Sequence, residues 1–189
     1  KAHGSETRML AGGTDLLIQL RNNEIKPLFI LDLKHIPELQ TGIQQKNGIV
    51  SISATVTMSD LIMNELINRY FPALIDAAKV IGSVQIRNRA TLIGNICNAS
   101  PAADSAPPLL VYGAEVVAIG PKGIRHIPLN EFFVRSGVTI LQEDEFVTFL
   151  ELPIPQKKMG AAHVRRTRRR GHDLASVTLC CGVEETGIV

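Results

Sequence analysis

The sequence predicts an α+β fold organised around a mixed sheet, and three local patterns carry that reading. Arg8-Met9-Leu10 runs through Ala11-Gly12-Gly13 into residues 15–20, where Leu16, Leu17 and Leu20 share one helical face, so the segment reads strand, tight turn, helix. Residues 42–56 read as a hairpin turning at Asn47-Gly48, a dipeptide favoured where both central residues take positive φ. Residues 115–119 and 124–128 flank Gly120-Pro121-Lys122-Gly123 and pair naturally as strands.

The remaining elements follow in order. Residues 28–33 (LFILDL) form a short apolar run that suits a buried strand. Ser59 is placed to cap a helix running to Leu66, and Pro72 opens a second helix over 73–81 that Gly82 stops. Between 82 and 108 large apolar side chains thin out. Asn88, Asn95, Asn98, Ser100, Asp104 and Ser105 crowd together there, which marks a functional loop. Residues 146–152 read as a strand and Pro153-Ile154-Pro155 as a linker. Two further strands, 161–170 and 176–183, have no completing sheet before Val189, so the chain is expected to end within a domain.

Composition narrows the function. With 189 residues, 45% hydrophobic and 20% charged, the chain can bury a core and is no disordered tail. Its apolar runs at 106–112 and 114–119 fall far short of the roughly 20 residues that cross a bilayer. No membrane span is expected. Residues 1–8 are polar and lack the apolar core of a secretory signal, so a cytoplasmic protein is the expectation. A net charge of +2 gives no global field to recruit nucleic acid. Cys97, Cys180 and Cys181 are an odd number without C-x-x-C spacing and read as reduced core thiols. Any iron-sulfur or metal centre then lies on another chain. His3, His35, His126, His163 and His172 are scattered without metal spacing, and no G-x-S-x-G elbow is present. Glu143, Asp144 and Glu145 read as a polar turn before a strand rather than an acid-base pair.

Three stretches carry chemistry. The turn Leu10-Ala11-Gly12-Gly13-Thr14-Asp15 gathers unpaired backbone N–H groups at the start of a helix, a setting that suits a phosphate; glycine serving turn geometry alone is the competing reading. It is neither a dinucleotide fingerprint nor a P-loop. In the second stretch, Thr91 and Asn95 offer donors, Gly94 permits close approach, and Asp104 suits ribose-type or ribityl hydroxyls or, alternatively, caps the helix over 106–112. The third is the run Arg165, Arg166, Thr167, Arg168, Arg169, Arg170, whose alternate side chains on a strand point opposite ways. A solvated or subunit-facing edge and phosphate contact by one or two arginines both fit. Nucleic acid does not, because only two Tyr, six Phe and no Trp are available for stacking.

Taken together, LAGGTDLLIQLRN, IGSVQIRNRATLIGNICNASPAADSAPPLL and RRTRRRGHDLASV resemble the FAD-binding (medium) subunit of molybdenum hydroxylases of the xanthine dehydrogenase and carbon monoxide dehydrogenase type. The resemblance implies a PCMH-type FAD-binding fold of two α/β lobes, the smaller over 1–35 and the larger over 36–155. The start of the family's C-terminal domain would follow at 156–189. It also implies site residues. Leu10, Ala11, Gly12, Gly13, Thr14, Asp15 and Leu16 would wrap the FAD pyrophosphate, and Gly82 with Thr91, Leu92, Ile93, Gly94 and Asn95 would form a second cradle. Asp104 would hold flavin-side hydroxyls, and Val147 and Arg165 would approach the flavin. Neither a catalytic nor a metal-ligating residue is implied.

One position departs from the family pattern: Ile93 stands where the family usually has the first glycine of GGN. A β-branched residue resists positive φ, so either the loop does not need it or flavin affinity is altered. By the same resemblance, molybdopterin and 2Fe-2S clusters belong to partner subunits, and the flavin passes electrons to an acceptor such as NAD. Two alternatives stand beside it: a self-contained flavin oxidoreductase of the same fold, and a cofactor-free interaction module docking through its arginines.

Overall fold

The structure is a computed structural model that describes residues 6–169 and 173–185. His3, Arg170 and His172 lie outside the described residues.

The chain opens as expected with β1 (Thr7–Leu10) and α1 (Leu16–Arg21), and returns as β2 (Phe29–Asp32), parallel to β1. The run 28–33 is a strand but not a buried one. Leu33 is buried, whereas Phe29, Ile30 and Leu31 remain 44%, 46% and 38% exposed, because β2 belongs to a two-stranded sheet that does not enter the main core. The next two strands, β3 (Ile43–Lys46) and β4 (Ile49–Ser53), turn at Asn47 and Gly48 with φ of 52° and 77°, the positive pair that the dipeptide predicts.

Six helices follow. In α2 (Met58–Met63) the cap is Thr57, not Ser59: the Thr57 hydroxyl accepts from the Asp60 N–H while the Asp60 carboxylate accepts from the Thr57 N–H. The predicted single helix is also divided, since Asn64 caps a separate α3 (Glu65–Tyr70) by accepting from Leu66 and Ile67. Pro72 opens α4 (Pro72–Lys79) as expected. The stretch 82–108 is not one open loop: short helices take up about half of it, α5 (Val84–Arg87), α6 (Leu92–Cys97) and the start of α7 (Ala106–Val111), with turns between them. Ser83 and Thr91 cap the first two of these, which is where part of the small polar content goes.

The sequence then forms β5 (Glu115–Gly120), β6 (Gly123–Pro128), α8 (Leu129–Phe132), the short pair β7 (Phe133–Arg135) and β8 (Val138–Thr139), and β9 (Phe146–Pro153). The main sheet has five strands in the order β3-β4-β9-β5-β6, and every neighbour is antiparallel. It is therefore not mixed; among the described residues parallel pairing is confined to β1 and β2. Strand alternation turns Val50, Ile52, Val116, Ala118, Ile127, Leu150 and Leu152 inward. They meet Leu61, Ile67, Phe71, Leu74, Leu92, Ile96 and Leu109 from the helices in a single apolar core. The last hairpin, β10 (Met159–Thr167) and β11 (Ala175–Glu184), lies against α4 and α7.

Leu150 sits at the centre of this arrangement, fully buried on β9 between β4 and β5. Leu150→Ala is expected to cost about 2–5 kcal/mol. Urea denaturation followed by far-ultraviolet dichroism would register the loss as a lower midpoint with an unchanged slope.

Candidate functional site

Two backbone turns from distant parts of the chain meet at one cleft. The turn after β1 presents Ala11, Gly12, Gly13, Thr14, Asp15 and Leu16; the start of α6 presents Thr91, Ile93, Gly94 and Asn95; and the start of β9 adds Val147. The cleft encloses about 680 Å³, within the range of small-molecule and cofactor sites.

Gly12 lets the two turns touch. A Cβ on Gly12 would lie 2.1 Å from the Arg89 carbonyl oxygen and 2.9 Å from the Ala90 Cα, so no side chain fits. Its absence serves contact between turns. Gly13 has φ +80°, a left-handed value that favours glycine. Behind the first turn, Lys34 donates to the Ala11 carbonyl at 2.9 Å and pairs with Asp32 at 2.7 Å. The second turn is tied to the chain entering α2: Met58 N–H donates to Ala90 at 2.8 Å and Leu92 N–H to Val56 at 3.3 Å.

Thr91 is buried, and its hydroxyl accepts from the Gly94 N–H at 3.1 Å, capping α6. The Asn95 carboxamide oxygen accepts from the Ser105 hydroxyl at 2.6 Å. Ile93 lies within α6 and does not take positive φ; it is buried against the core while reaching the cleft wall. The β-branched residue is compatible with this backbone because the helix never requires the glycine conformation.

The other residues named from the sequence lie around the cleft rather than in its lining. Leu10 supports Gly13 from beneath, Leu92 is fully buried, and Gly82 turns the chain with φ +50°. Asp104 does not cap α7, whose N-cap position is Ser105 without a side-chain bond. Instead Asp104 is buried beside Arg165, at 3.3 Å from its guanidinium, and Arg165 also donates to the Val80 carbonyl at 2.9 Å, next to the cleft residue Ile81. Burial pushes the Asp104 carboxyl upward, against the pull of Arg165, His163 and Thr178. Arg166, Arg168 and Arg169 are exposed, so Arg165 is the inward member of the described run.

Sequence reasoning placed Glu145 in a polar turn and gave it no part in the site, yet it lines the cleft from that turn before β9. Arg125 on β6 donates to both its oxygens, at 2.9 and 2.7 Å, and the Gln142 N–H adds a further bond. Burial alone would raise this carboxyl, but the Gln142 N–H and Arg125 outweigh it and hold it below its ordinary value. The partner comes from across the sheet, so spacing gave no signal. Cys97 also reaches the cleft, its thiol pushed by burial up to about 12, which suits packing and not nucleophilic chemistry. The core-thiol expectation fails for Cys181, which is exposed at the outer face of β11. Strand register likewise brings His126 to Glu151 at 3.4 Å and Glu115 at 3.9 Å on the outer sheet face, away from the cleft.

The cleft's two backbone cradles can be tested for fit to a dinucleotide-type flavin. Among the described residues, the N–H groups of Gly12, Gly13, Thr14 and Asp15 have no intramolecular partner, leaving a row of unused donors on residues that line the cavity. Such a row suits a pyrophosphate, and apolar Ile81, Ile86, Leu141, Phe146 and Val147 suit a planar ring. The sequence family described as the FAD binding domain in molybdopterin dehydrogenase matches residues 1–155. This chain belongs to that family. The FAD-binding domain it contains is similar to the xanthine dehydrogenase FAD-binding subunit of Escherichia coli O157:H7, 37% identical over 93% of this chain and 61% of that protein. It is 33% identical to the carbon monoxide dehydrogenase medium chain of Hydrogenophaga pseudoflava, over 89% of this chain and 58% of that protein. A solved carbon monoxide dehydrogenase from Hydrogenophaga pseudoflava, lacking the Mo-pyranopterin moiety, superimposes with a TM-score of 0.92 at 31% identity, over 98% of this chain and 64% of that one. Quinoline 2-oxidoreductase from Pseudomonas putida 86 follows with 0.89 at 27% identity, over 97% and 63%. The FAD-binding chain spans about 60% of the length of the curated relatives it matches.

Two outcomes follow. Gly12→Ala is expected to separate the two turns, lowering both the melting temperature and flavin retention, as differential scanning fluorimetry and flavin release would register. The Arg125–Glu145 pair contributes stability above the ordinary glutamate range and loses it as pH falls through the depressed Glu145 value. Arg125→Gln should therefore lose less stability than wild type between about pH 6 and about pH 3 in denaturant titrations.

Proposed function

We propose that this chain is the FAD-carrying part of a molybdenum hydroxylase flavoprotein subunit, an oxidoreductase component that passes electrons from 2Fe-2S clusters on a partner subunit to an acceptor such as NAD. The observation that carries this reading is the convergence of the 11–16 turn and the 91–95 turn on one cleft, in a chain whose family binds FAD. Molybdopterin belongs on a large subunit and the iron-sulfur clusters on a small one, consistent with thiols that offer no cluster ligand set. The complex acts in the cytoplasm, without a membrane span; among the described residues no helix is long and apolar enough to cross a membrane.

The residues divide the work by position. N–H groups from Gly12 to Asp15 hold the pyrophosphate, Gly94 and Asn95 close the second side, and Val147 packs against the flavin ring. Asp104 and Arg165 serve cofactor hydroxyls and the flavin edge from behind the 80–82 wall. Bound FAD supplies the redox chemistry, and the chain supplies binding, orientation and exclusion of water. Residues 1–35 and 36–155 act as the two lobes of the FAD domain, and 156–189 begin the C-terminal domain.

Asp104→Ala is expected to lower FAD retention at least tenfold while the fold persists, because an acceptor for a cofactor hydroxyl is lost. Equilibrium dialysis with FAD measures it, and retention equal to wild type would remove Asp104 from the site. The chain by itself should hydroxylate no substrate; turnover without molybdenum and iron-sulfur subunits would contradict the assignment.

A further inference from the structure

Asp104 is the one charged residue buried in full among the described residues, at 6% exposure, and its surroundings are incompletely matched. Its Oδ2 faces Arg165 at 3.3 Å, whereas Oδ1 has no hydrogen-bond partner and lies 3.8 Å from His163 Nε2. Arg165 Nε is also buried without a partner. A buried carboxylate oxygen left unbonded is costly, and a polar ligand atom arriving there offsets that cost.

His163 is two residues before Arg165 on β10, with its side chain only 3% exposed. Its Nε2 lies 2.9 Å from the Thr178 hydroxyl on β11. The charged and titratable groups around it come from every packed element: Asp104 ahead of α7, Arg165 on its own strand, Asp76 on α4, and Cys180 opposite it on β11. Tyr112, at the end of α7, neighbours Asp76 and Cys180.

We propose that His163 is a positioning residue whose proton decides whether Asp104 Oδ1 is free for the cofactor. With Nε2 unprotonated, it draws the Thr178 hydroxyl proton, which otherwise pulls on Asp104, and the ring has no proton to offer Asp104. Oδ1 then remains an open acceptor. Protonation places an N–H on the ring atom nearest Oδ1, so Arg165 and His163 occupy both carboxylate oxygens and a cofactor hydroxyl must compete with a buried cation. Burial keeps the imidazole below its ordinary value, with Asp104 pulling the other way, so the open state holds at neutral pH. By linkage, binding that needs the neutral ring weakens as pH falls through the His163 titration, by up to tenfold per pH unit for one proton.

This rests on Asp104 being a cofactor contact. The test is the Kd for FAD from pH 8 to pH 5 in wild type and His163→Gln, whose amide still bonds Thr178 but takes no proton. Any protonation of Asp104 is common to both proteins, so His163 appears as the difference: the variant should lose one proton from the acid limb, its Kd rising up to tenfold less per pH unit. Parallel acid limbs, or a Kd raised equally at every pH, overturn the proposal and leave FAD binding standing. Absence of FAD binding by wild type at pH 8 overturns the FAD assignment as well. In wild type, the His163 ring titration followed by NMR should move to lower pH when FAD is added; an unmoved titration counts against the proposal even if the variant fails to fold.

Discussion

The backbone contact between Gly12 and the Arg89 carbonyl is the constraint on which the cleft depends. The first turn hangs from a small two-stranded sheet outside the main core, and the second is anchored to the helical layer over the antiparallel sheet. Neither alone encloses a cofactor. Only where glycine removes the side chain do the two backbones come close enough to line one cavity. Lys34, bonded to the Ala11 carbonyl and paired with Asp32, then fixes the angle of the first turn without entering the cleft.

Charged groups stand both in the cleft lining and behind its wall. The cleft lining carries two carboxylates, Asp15 and Glu145, of which Glu145 is matched by Arg125, and a second pair, Asp104 with Arg165, lies behind the wall. Only the second is left with unbonded buried atoms. The contrast separates roles by physical state: a satisfied pair that stabilises the turn entering β9, and an unsatisfied one that has capacity left for a ligand.

Much of the fold was legible wherever the information is local. The Asn47-Gly48 hairpin and the pairing of 115–119 with 124–128 followed from turn chemistry and alternation, and Pro72 marked its helix start. Errors came where tertiary context decides. Apolar content made β2 look buried, although burial depends on a second layer that composition does not reveal. Small polar residues between 82 and 108 suggested a loop, yet Ser83 and Thr91 spend their hydroxyls on caps, which is a helical use of the same residue types. The antiparallel order of the sheet was hidden because strands far apart in the chain, β4 and β9, are neighbours.

At the site, the two turns were readable as motifs, but the reason for Gly12 was not, since the Arg89 carbonyl that excludes a side chain lies more than seventy positions on. Glu145 and His163 were read as a polar-turn residue and a scattered histidine for the same cause: each is defined by a partner from another element. The central claim, that both turns hold one FAD, is tested most directly by hydrogen–deuterium exchange of the protein with and without FAD. Protection on binding should appear together at residues 11–16 and 91–95 and at Val147. Protection confined to one turn, or located on the outer sheet face instead, would contradict a shared cleft.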